Sequence, residues 1–247
     1  MATTRKKTGT VKAAKKAANR SVAKKSKVVK TRAKKKAAPL GPLVSVVMPV
    51  FNVAKIIDDT IHSVLGQSYE NFELIIVDDH SADKTLEVIS QFKSDKIRVI
   101  KCKRNGGAIN ATNRGIRAAR GKYLAFIDAG DMWQPNKLKR QLDFMLEKDV
   151  AFAFSSYVFA DKKGRPKGKV VRMPDSIDVS RNSLIVTSTV MLDMKKLKKS
   201  DVKFERDKKW QRALDKAGCG CGMHEVMAIR GYNPNLSFFE KMRRGVR

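Results

Sequence analysis

Hydrophobic and polar residues follow two alternating patterns along the chain. Short apolar runs rich in β-branched residues are followed by longer stretches in which apolar residues recur at helical spacing. This order predicts an α/β fold in which crossover helices cover both faces of a mostly parallel sheet. The predicted strands are residues 44–50, 74–77, 97–101, 123–127 and 150–159, and the predicted helices are residues 55–66, 82–92 with Ser81 as N-cap, 108–119 and 136–148.

The pattern is weaker after Gly164. It still predicts a strand over residues 186–192 and a helix over residues 208–217, which Gly218 would close. Loops predominate here, and in α/β enzymes such loops usually meet the variable substrate. We therefore expect one α/β domain from residue 41 to residue 247, with a less regular second half.

The first 40 residues differ in composition from the rest. They contain 15 Lys and Arg, no Asp or Glu and no aromatic residue. Like charges at this density repel one another and leave nothing to form a core, so the sequence predicts a disordered basic arm over residues 1–40. A solubilising tail and a transit peptide are the alternatives, although transit peptides favour arginine over lysine.

Positive charge is not confined to the arm. Subtracting its 15 basic residues from the 53 of the chain leaves 38, against 24 acidic residues. The whole protein is therefore expected to prefer anionic partners, such as nucleic acid, an acidic membrane face or a nucleotide diphosphate. No apolar run approaches the roughly 18 residues that span a bilayer.

The cysteines suit a reducing compartment, so we expect a cytoplasmic protein. There are three, which is an odd number without a regular framework. Cys219-Gly220-Cys221 and His224 offer a possible metal clip, but Cys-x-Cys is not the usual zinc spacing.

Two acid clusters carry most of the chemical information. Asp78 and Asp79 follow one predicted strand, and Asp128-Ala129-Gly130-Asp131 follows another. Ligands of open parallel sheets bind outside the carboxyl ends of the strands, so these carboxylates are expected to face a site.

The first cluster is predicted to bind a nucleotide. One carboxylate can accept from a base N–H or a ribose hydroxyl, and the other can orient the loop. Pro49, Phe51 and Asn52, after the first strand, offer a fixed angle, an aromatic face and an amide, which together suit a flat heterocycle. The alternatives are a helix N-cap for the acids and simple strand termination for the turn at residues 49–52.

The second cluster is predicted to bind a divalent cation. Asp128 and Asp131 are spaced so that one turn can point both carboxylates at Mg²⁺ or Mn²⁺, which would bridge diphosphate oxygens. The alternative is a structural Asp-Gly turn in which Asn136 caps the next helix.

These segments resemble glycosyltransferase family 2, with the motifs in the same order. The motifs are VSVVMPVFN at 44–52, IIVDDHSAD at 75–83, NRGI at 113–116 with ARGKY at 119–123, and FIDAGDMW at 126–133. The resemblance implies a GT-A fold, with a nucleotide-sugar half at residues 41–137 and an acceptor half at residues 138–247. It also implies that Asp79 contacts the base and that Asn113 and Asp128 contact the donor.

One position departs from the family pattern. Gly130 stands where the family commonly has an acid. Asp128 and Asp131 would then share the metal.

The catalytic base is assigned by resemblance to the acidic segment before Trp210. Asp207 is the first choice and Glu205 the second. Family members of this type invert the anomeric centre, because a carboxylate removes the proton of the acceptor hydroxyl as it attacks the sugar C1. Both residues can also be read as ordinary negative charges near a helix start.

The sequence thus favours an inverting hexosyl- or N-acetylhexosaminyltransferase. Its donor would be a nucleotide sugar, expected to be UDP-linked, and its acceptor a glycan or lipid-linked glycan in cell-surface polysaccharide synthesis. The arm would contact the anionic inner face of the membrane. The alternative is a protein that binds nucleic acid or anionic surfaces through the arm and carries an inactive domain. A nucleotidyltransferase is disfavoured because no Gly-rich phosphate loop follows the first strand.

Overall fold

The structure is a computed structural model. It describes residues 41–160, 166–167, 170–178, 185–205 and 210–231. The predicted basic arm therefore lies outside the described residues. Within the described ranges, no helix is both long enough and apolar enough to cross a membrane.

The first half of the domain is a parallel sheet. Its strands are β1 (Val44–Val50), β2 (Phe72–Asp78), β3 (Ile97–Lys101) and β4 (Tyr123–Phe126), in the order β3-β2-β1-β4. The central strands are buried on both sides, which explains their nearly continuous apolar sequence. Because β1 pairs in parallel with β2 and with β4, the carboxyl ends of these strands meet at one edge.

Within the described ranges, five α-helices lie between the strands. They are α1 (Ile57–Leu65), α2 (Thr85–Gln91), α3 (Ala108–Ala118), α4 (Lys137–Glu147) and α5 (Gln211–Ala217). The prediction that Ser81 is the N-cap of α2 is wrong, since that helix begins at Thr85 after Lys84. The Ser81 hydroxyl instead accepts a hydrogen bond from the backbone N–H of Asn52 at 3.0 Å. The Ser81 hydroxyl, which was expected to cap α2, therefore binds the loop after β1 instead.

The rest of the sheet has mixed pairing. It consists of β5 (Met132–Trp133) and, in the second half, β6 (Phe152–Phe159), β7 (Ser176–Ile177), β8 (Met191–Asp193) and β9 (Gly220–Arg230). β8 runs antiparallel to β4 and β6, whereas β9 runs parallel to β6. The strand predicted over residues 186–192 is partly wrong, because Thr187–Thr189 form a 3₁₀ turn and only Met191–Asp193 continue as a strand.

An aromatic cluster joins the two halves. The ring of Phe204 stacks on Phe126 of β4, with centroids 5.5 Å apart, and meets the ring of Trp210 edge-on at 4.7 Å. Trp210 also contacts Phe152 of β6 at 5.6 Å. Such aromatic pairs are worth about 0.5–1.5 kcal/mol each beyond the burial of their area. The cluster therefore fixes Phe204 and Trp210, which flank residues 205–209.

Candidate active site

The loops after β1 and β2 are bound to each other. The side-chain oxygen of Asn52 accepts from the backbone N–H of Ala82 at 2.8 Å, and the Val53 N–H donates to the Thr85 hydroxyl at 2.8 Å. Asn52 has a φ of +52°, a left-handed conformation that asparagine tolerates better than most residues. Its amide oxygen thus holds the loop in place, and a contact with the donor stays a prediction.

Phe51, in the loop after β1, presents an aromatic face. The carboxyl ends of β1 and β2 lie together, as predicted. The Phe51 side chain is 45% exposed. Pro49 lies in β1 opposite Val77, and Val50 lies opposite Asp78. The turn at residues 49–52 and the first acid cluster are therefore neighbours.

Asp79 is buried, at 2% exposure, and binds the backbone of the loop between β3 and α3. Its carboxylate accepts from the N–H of Gly106 at 3.0 and 3.1 Å and from the N–H of Gly107 at 2.6 Å. The thiol of Cys102 also lies against it, and burial is the main cause that raises the pKa of this thiol. In the structure Asp79 thus orients a loop, and the base contact that the resemblance implies stays a prediction.

Asp78 differs from Asp79 in that only one of its two carboxylate oxygens has a hydrogen-bond partner among the described residues. It is equally buried, and its Oδ2 accepts from the Ser81 N–H at 3.3 Å. Its Oδ1 is buried with no hydrogen-bond partner among the described residues. A buried polar atom without a partner costs about 1–3 kcal/mol, and more when it is charged. Of the two acids, Asp78 is therefore the one with an oxygen that has no hydrogen-bond partner among the described residues.

In the second cluster, Asp131 lies inside the turn. It is 4% exposed; its Oδ2 accepts from the Ser188 hydroxyl at 2.6 Å, and its Oδ1 accepts from the Gly231 N–H at 3.0 Å. Burial, followed by the charge of Asp128, raises the pKa of Asp131 to about 7, while the bond from Ser188 and the charge of Arg230 act in the opposite direction. Both oxygens of Asp131 are thus already bonded within the chain.

Two glycines allow this turn to form. Gly130 has a φ of +93°, which side chains rarely adopt. A Cβ on Gly231 would lie 1.7 Å from the Gly130 carbonyl oxygen. The end of β9 can approach the acid turn only because the chain has glycine at 231.

Ser188 connects the acid turn to the second half of the domain. Its buried hydroxyl accepts from the Asp128 N–H at 3.0 Å and donates to Asp131. Its carbonyl accepts from the indole N–H of Trp133 at 2.8 Å. Sequence patterns did not identify this role. The hydroxyl-rich run Thr187-Ser188-Thr189 was the available signal.

The acid turn offers Asp128 as a carboxylate for a divalent cation. No group of three or more His, Cys, Asp or Glu side chains in the described ranges is arranged to hold a metal ion. Mg²⁺ commonly keeps several waters and binds one or two carboxylates together with substrate phosphates. Asp128 is only partly buried and can supply such a carboxylate, whereas a share for Asp131 stays a prediction.

The possible metal clip at the start of β9 does not assemble as one group. The sulfur atoms of Cys219 and Cys221 lie 4.0 Å apart. His224 Nε2 instead lies 2.6 Å from Asp175 Oδ1.

Glu205, the second candidate base, is paired with two basic side chains. Glu205 Oε1 lies 2.8 Å from Arg212 and 3.9 Å from the ammonium of Lys203. Asp207 lies outside the described residues. Asn113, which the resemblance places at the donor, uses both ends of its side-chain amide to bind the Phe204 backbone at 2.9 and 2.8 Å. The roles of these three residues stay predictions.

Two solved structures share this architecture. TarS from S. aureus in complex with UDP-GlcNAc has a TM-score of 0.67 and 20% identity, covering 78% of this chain and 59% of that chain. The mannosyltransferase PcManGT from Pyrobaculum calidifontis, in complex with GDP-Man and Mn²⁺, has a TM-score of 0.64 and 16% identity, covering 84% and 63%. This chain spans less than two thirds of the length of either. The class defined by the fold is that of the GT-A proteins, as predicted.

Sequence similarity defines the family within that class. Residues 45–223 match the model of glycosyl transferase family 2, and the chain belongs to that family. TuaG from Bacillus subtilis (strain 168), named as a glycosyltransferase of teichuronic acid biosynthesis, is 37% identical over 196 residues, covering 76% of this chain and 78% of TuaG. WfgD from Escherichia coli, named as a UDP-Glc:α-D-GlcNAc-diphosphoundecaprenol β-1,3-glucosyltransferase, is 36% identical over 115 residues, covering 47% of this chain and 46% of WfgD.

Proposed function

We propose that the protein is an inverting glycosyltransferase that moves a hexosyl or N-acetylhexosaminyl group from a UDP-linked donor to a lipid-linked glycan. The observation that carries this proposal is Asp78 Oδ1, which is buried at the carboxyl edge of the sheet and has no hydrogen-bond partner among the described residues. Asp78 lies opposite Val50, the residue before the exposed Phe51. The names of TuaG and WfgD support a role in cell-surface polysaccharide synthesis and an undecaprenol-linked acceptor. We accordingly expect the protein in the cytoplasm, where nucleotide sugars are available.

The donor would bind along the acid-lined edge. The Phe51 ring offers a face for the base, and Asp78 Oδ1 accepts an N–H or O–H from the nucleoside, which relieves the cost of its burial. Asp128 faces the diphosphate end. A divalent cation bound there would offset the charge that develops on the leaving diphosphate.

Transfer is a single displacement at the sugar C1. The acceptor oxygen attacks C1 and forms the new glycosidic bond, while the bond from C1 to the diphosphate oxygen breaks and its electron pair leaves with the nucleotide. The acceptor proton passes to a carboxylate. We assign this base to Asp207, because Arg212 already engages the carboxylate of Glu205.

A nucleotide-release assay tests the proposal. A panel of UDP-, GDP- and dTDP-sugars is offered with Mn²⁺, Mg²⁺ or chelator, and donor affinity is measured for wild type, Asp78→Asn and Asp79→Ala. Loss of a charge-assisted hydrogen bond is worth about 1.5–3 kcal/mol, so Asp78→Asn is expected to weaken donor binding roughly 10- to 100-fold.

Asp143→Asn is the matched control. Asp143 lies exposed on α4 and pairs with Lys139 at 2.8 Å, away from the acid-lined edge. Wild type that neither binds nor turns over any nucleotide sugar would contradict the proposal and favour the inactive-domain alternative. Turnover that survives in Asp207→Ala would move the base to Glu205 or elsewhere.

A further inference from the structure

The side chain of Asn113 binds a part of the chain that is 91 residues away. Its Nδ2 donates to the carbonyl of Phe204 at 2.9 Å, and the N–H of Phe204 donates to its Oδ1 at 2.8 Å. Asn113 is 7% exposed and Phe204 is 3% exposed. Both hydrogen bonds are therefore shielded from water. The Asn113 amide binds the N–H and the carbonyl of Phe204, as the backbone of a neighbouring β-strand would.

Phe204 is the last residue before the segment that holds both candidate bases. Glu205 follows it, and the segment ends at Trp210, whose ring lies 4.7 Å from the Phe204 ring. Phe204 and Trp210, which flank this segment, thus lie next to each other in the described core. Asn113 fixes the main chain of Phe204, and the aromatic cluster fixes the side chains of both residues.

Helix α3, which contains Asn113, begins directly after the loop that Asp79 binds. Gly107 precedes the first residue of α3 and donates its N–H to Asp79, and Asn113 lies six residues further on. At 1.5 Å per residue, the two contacts are about 9 Å apart along the helix axis. One helix therefore sets the spacing between Asp79 and the main chain of Phe204.

We propose that Asn113 is a positioning residue for the catalytic base, acting through the main chain of Phe204 rather than through the donor. The inference rests on the proposed glycosyl transfer. A base must lie within about 2.6–3.2 Å of the proton that it removes, and a misplacement of about 1 Å can cost on the order of 100-fold in rate. Release of the Phe204 main chain therefore impairs transfer. Donor binding is retained, because Phe51, Asp78 and Asp128 lie on other elements.

The test separates the two steps in Asn113→Ala and in the isosteric Asn113→Asp. The aspartate keeps the acceptor for the Phe204 N–H but sets an oxygen against the Phe204 carbonyl. Calorimetry with UDP measures affinity and the fraction of binding-competent protein, and the transfer assay gives kcat and KM. We expect kcat per competent molecule to fall about 100-fold in both variants, with the Kd for UDP within about twofold of wild type.

Thr112→Val is the matched control on the same helix. Thr112 is also buried, and among the described residues its hydroxyl bonds only the Ala108 carbonyl of its own helix, at 2.8 Å. We expect both constants of this variant to stay near the wild-type values.

Three outcomes overturn the inference, and they differ in what else they contradict. Unchanged kcat in the Asn113 variants overturns the positioning role alone. A Kd that weakens in proportion to kcat makes Asn113 a donor contact instead. Wild type that is inactive with every donor contradicts the proposed function, and this inference falls with it.

Discussion

At the scale of single residues, the site depends on buried hydrogen bonds from groups that are not themselves acidic. Ser188 is the clearest case, because its hydroxyl has a donor and an acceptor role in the same turn: it donates to Asp131 and accepts from the Asp128 N–H. Removing it leaves a buried carboxylate oxygen and a backbone N–H short of a partner at once.

We therefore expect Ser188→Ala to lower the free energy of unfolding by about 1–3 kcal/mol and to reduce turnover. Urea denaturation and the nucleotide-release assay measure the two effects. Ser155→Ala is the matched control, because Ser155 is equally buried and its hydroxyl has no partner among the described residues. The control is expected to be near neutral, and an equal loss in both variants would refute the role of Ser188.

The sequence predicted the acids of the candidate site but not the groups that hold them. Asp78, Asp79 and Asp128 could be found because they directly follow apolar runs that make buried strands. Ser188 and Gly231 could not, because they lie 57 and 100 residues from Asp131, and Gly231 contributes only a backbone N–H. Local patterns carry no information on contacts over such separations.

At the scale of elements, the quality of prediction follows the regularity of the sequence pattern. β1 and β3 lie at the predicted residues, because each is a short run rich in β-branched residues in a parallel sheet. β9 was not predicted as a strand. Its sequence contains two glycines and a His-Glu pair, and its pairing with β6 shifts register on both sides of Ser156. Such irregularities remove the period-two alternation by which strands are recognised.

Helix α4 begins with a buried lysine, which gives a prediction for the pH dependence of stability. The ammonium of Lys137 bonds Gln141 at 2.6 Å and lies 4.1 Å from the centroid of the Trp133 ring. Burial lowers the pKa of Lys137 to about 7 from its ordinary value of 10.5. Between these values the unfolded chain binds more protons than the folded protein, so this group makes stability rise with pH across the window from about 7 to 10.5.

Lys137→Met removes that contribution. We expect the stability of wild type relative to Lys137→Met to increase by an amount on the order of a few kcal/mol between pH 7 and pH 10. Urea midpoints measured through this range check the prediction. Lys139→Met, at an exposed lysine of the same helix, should give a curve parallel to wild type. Parallel curves for Lys137→Met and wild type would show that Lys137 titrates alike in both states.

At the scale of the whole molecule, charge is unevenly distributed. The chain has a net charge of +29, and 15 of its basic residues lie in residues 1–40, where there is no acidic residue. The candidate site, in contrast, carries acids at the carboxyl edge of the sheet. A cationic segment of this density is not needed to bind one nucleotide diphosphate, so we propose that it serves a larger anionic surface.

If the acceptor is lipid-linked, the anionic surface is a membrane. Each Lys or Arg near an anionic bilayer contributes about 1 kcal/mol, so engagement of even three of the 15 would strengthen binding by roughly 100-fold. We expect the full chain to sediment with phosphatidylglycerol-containing liposomes and residues 41–247 to stay largely in solution. Neutral phosphatidylcholine liposomes should bind neither, and raised salt should release the full chain, because the attraction is screened within about 10 Å at 0.1 M ionic strength. Equal sedimentation of the two proteins would exclude the arm as the membrane contact, and release by competing DNA at equal phosphate would point to nucleic acid as the preferred partner.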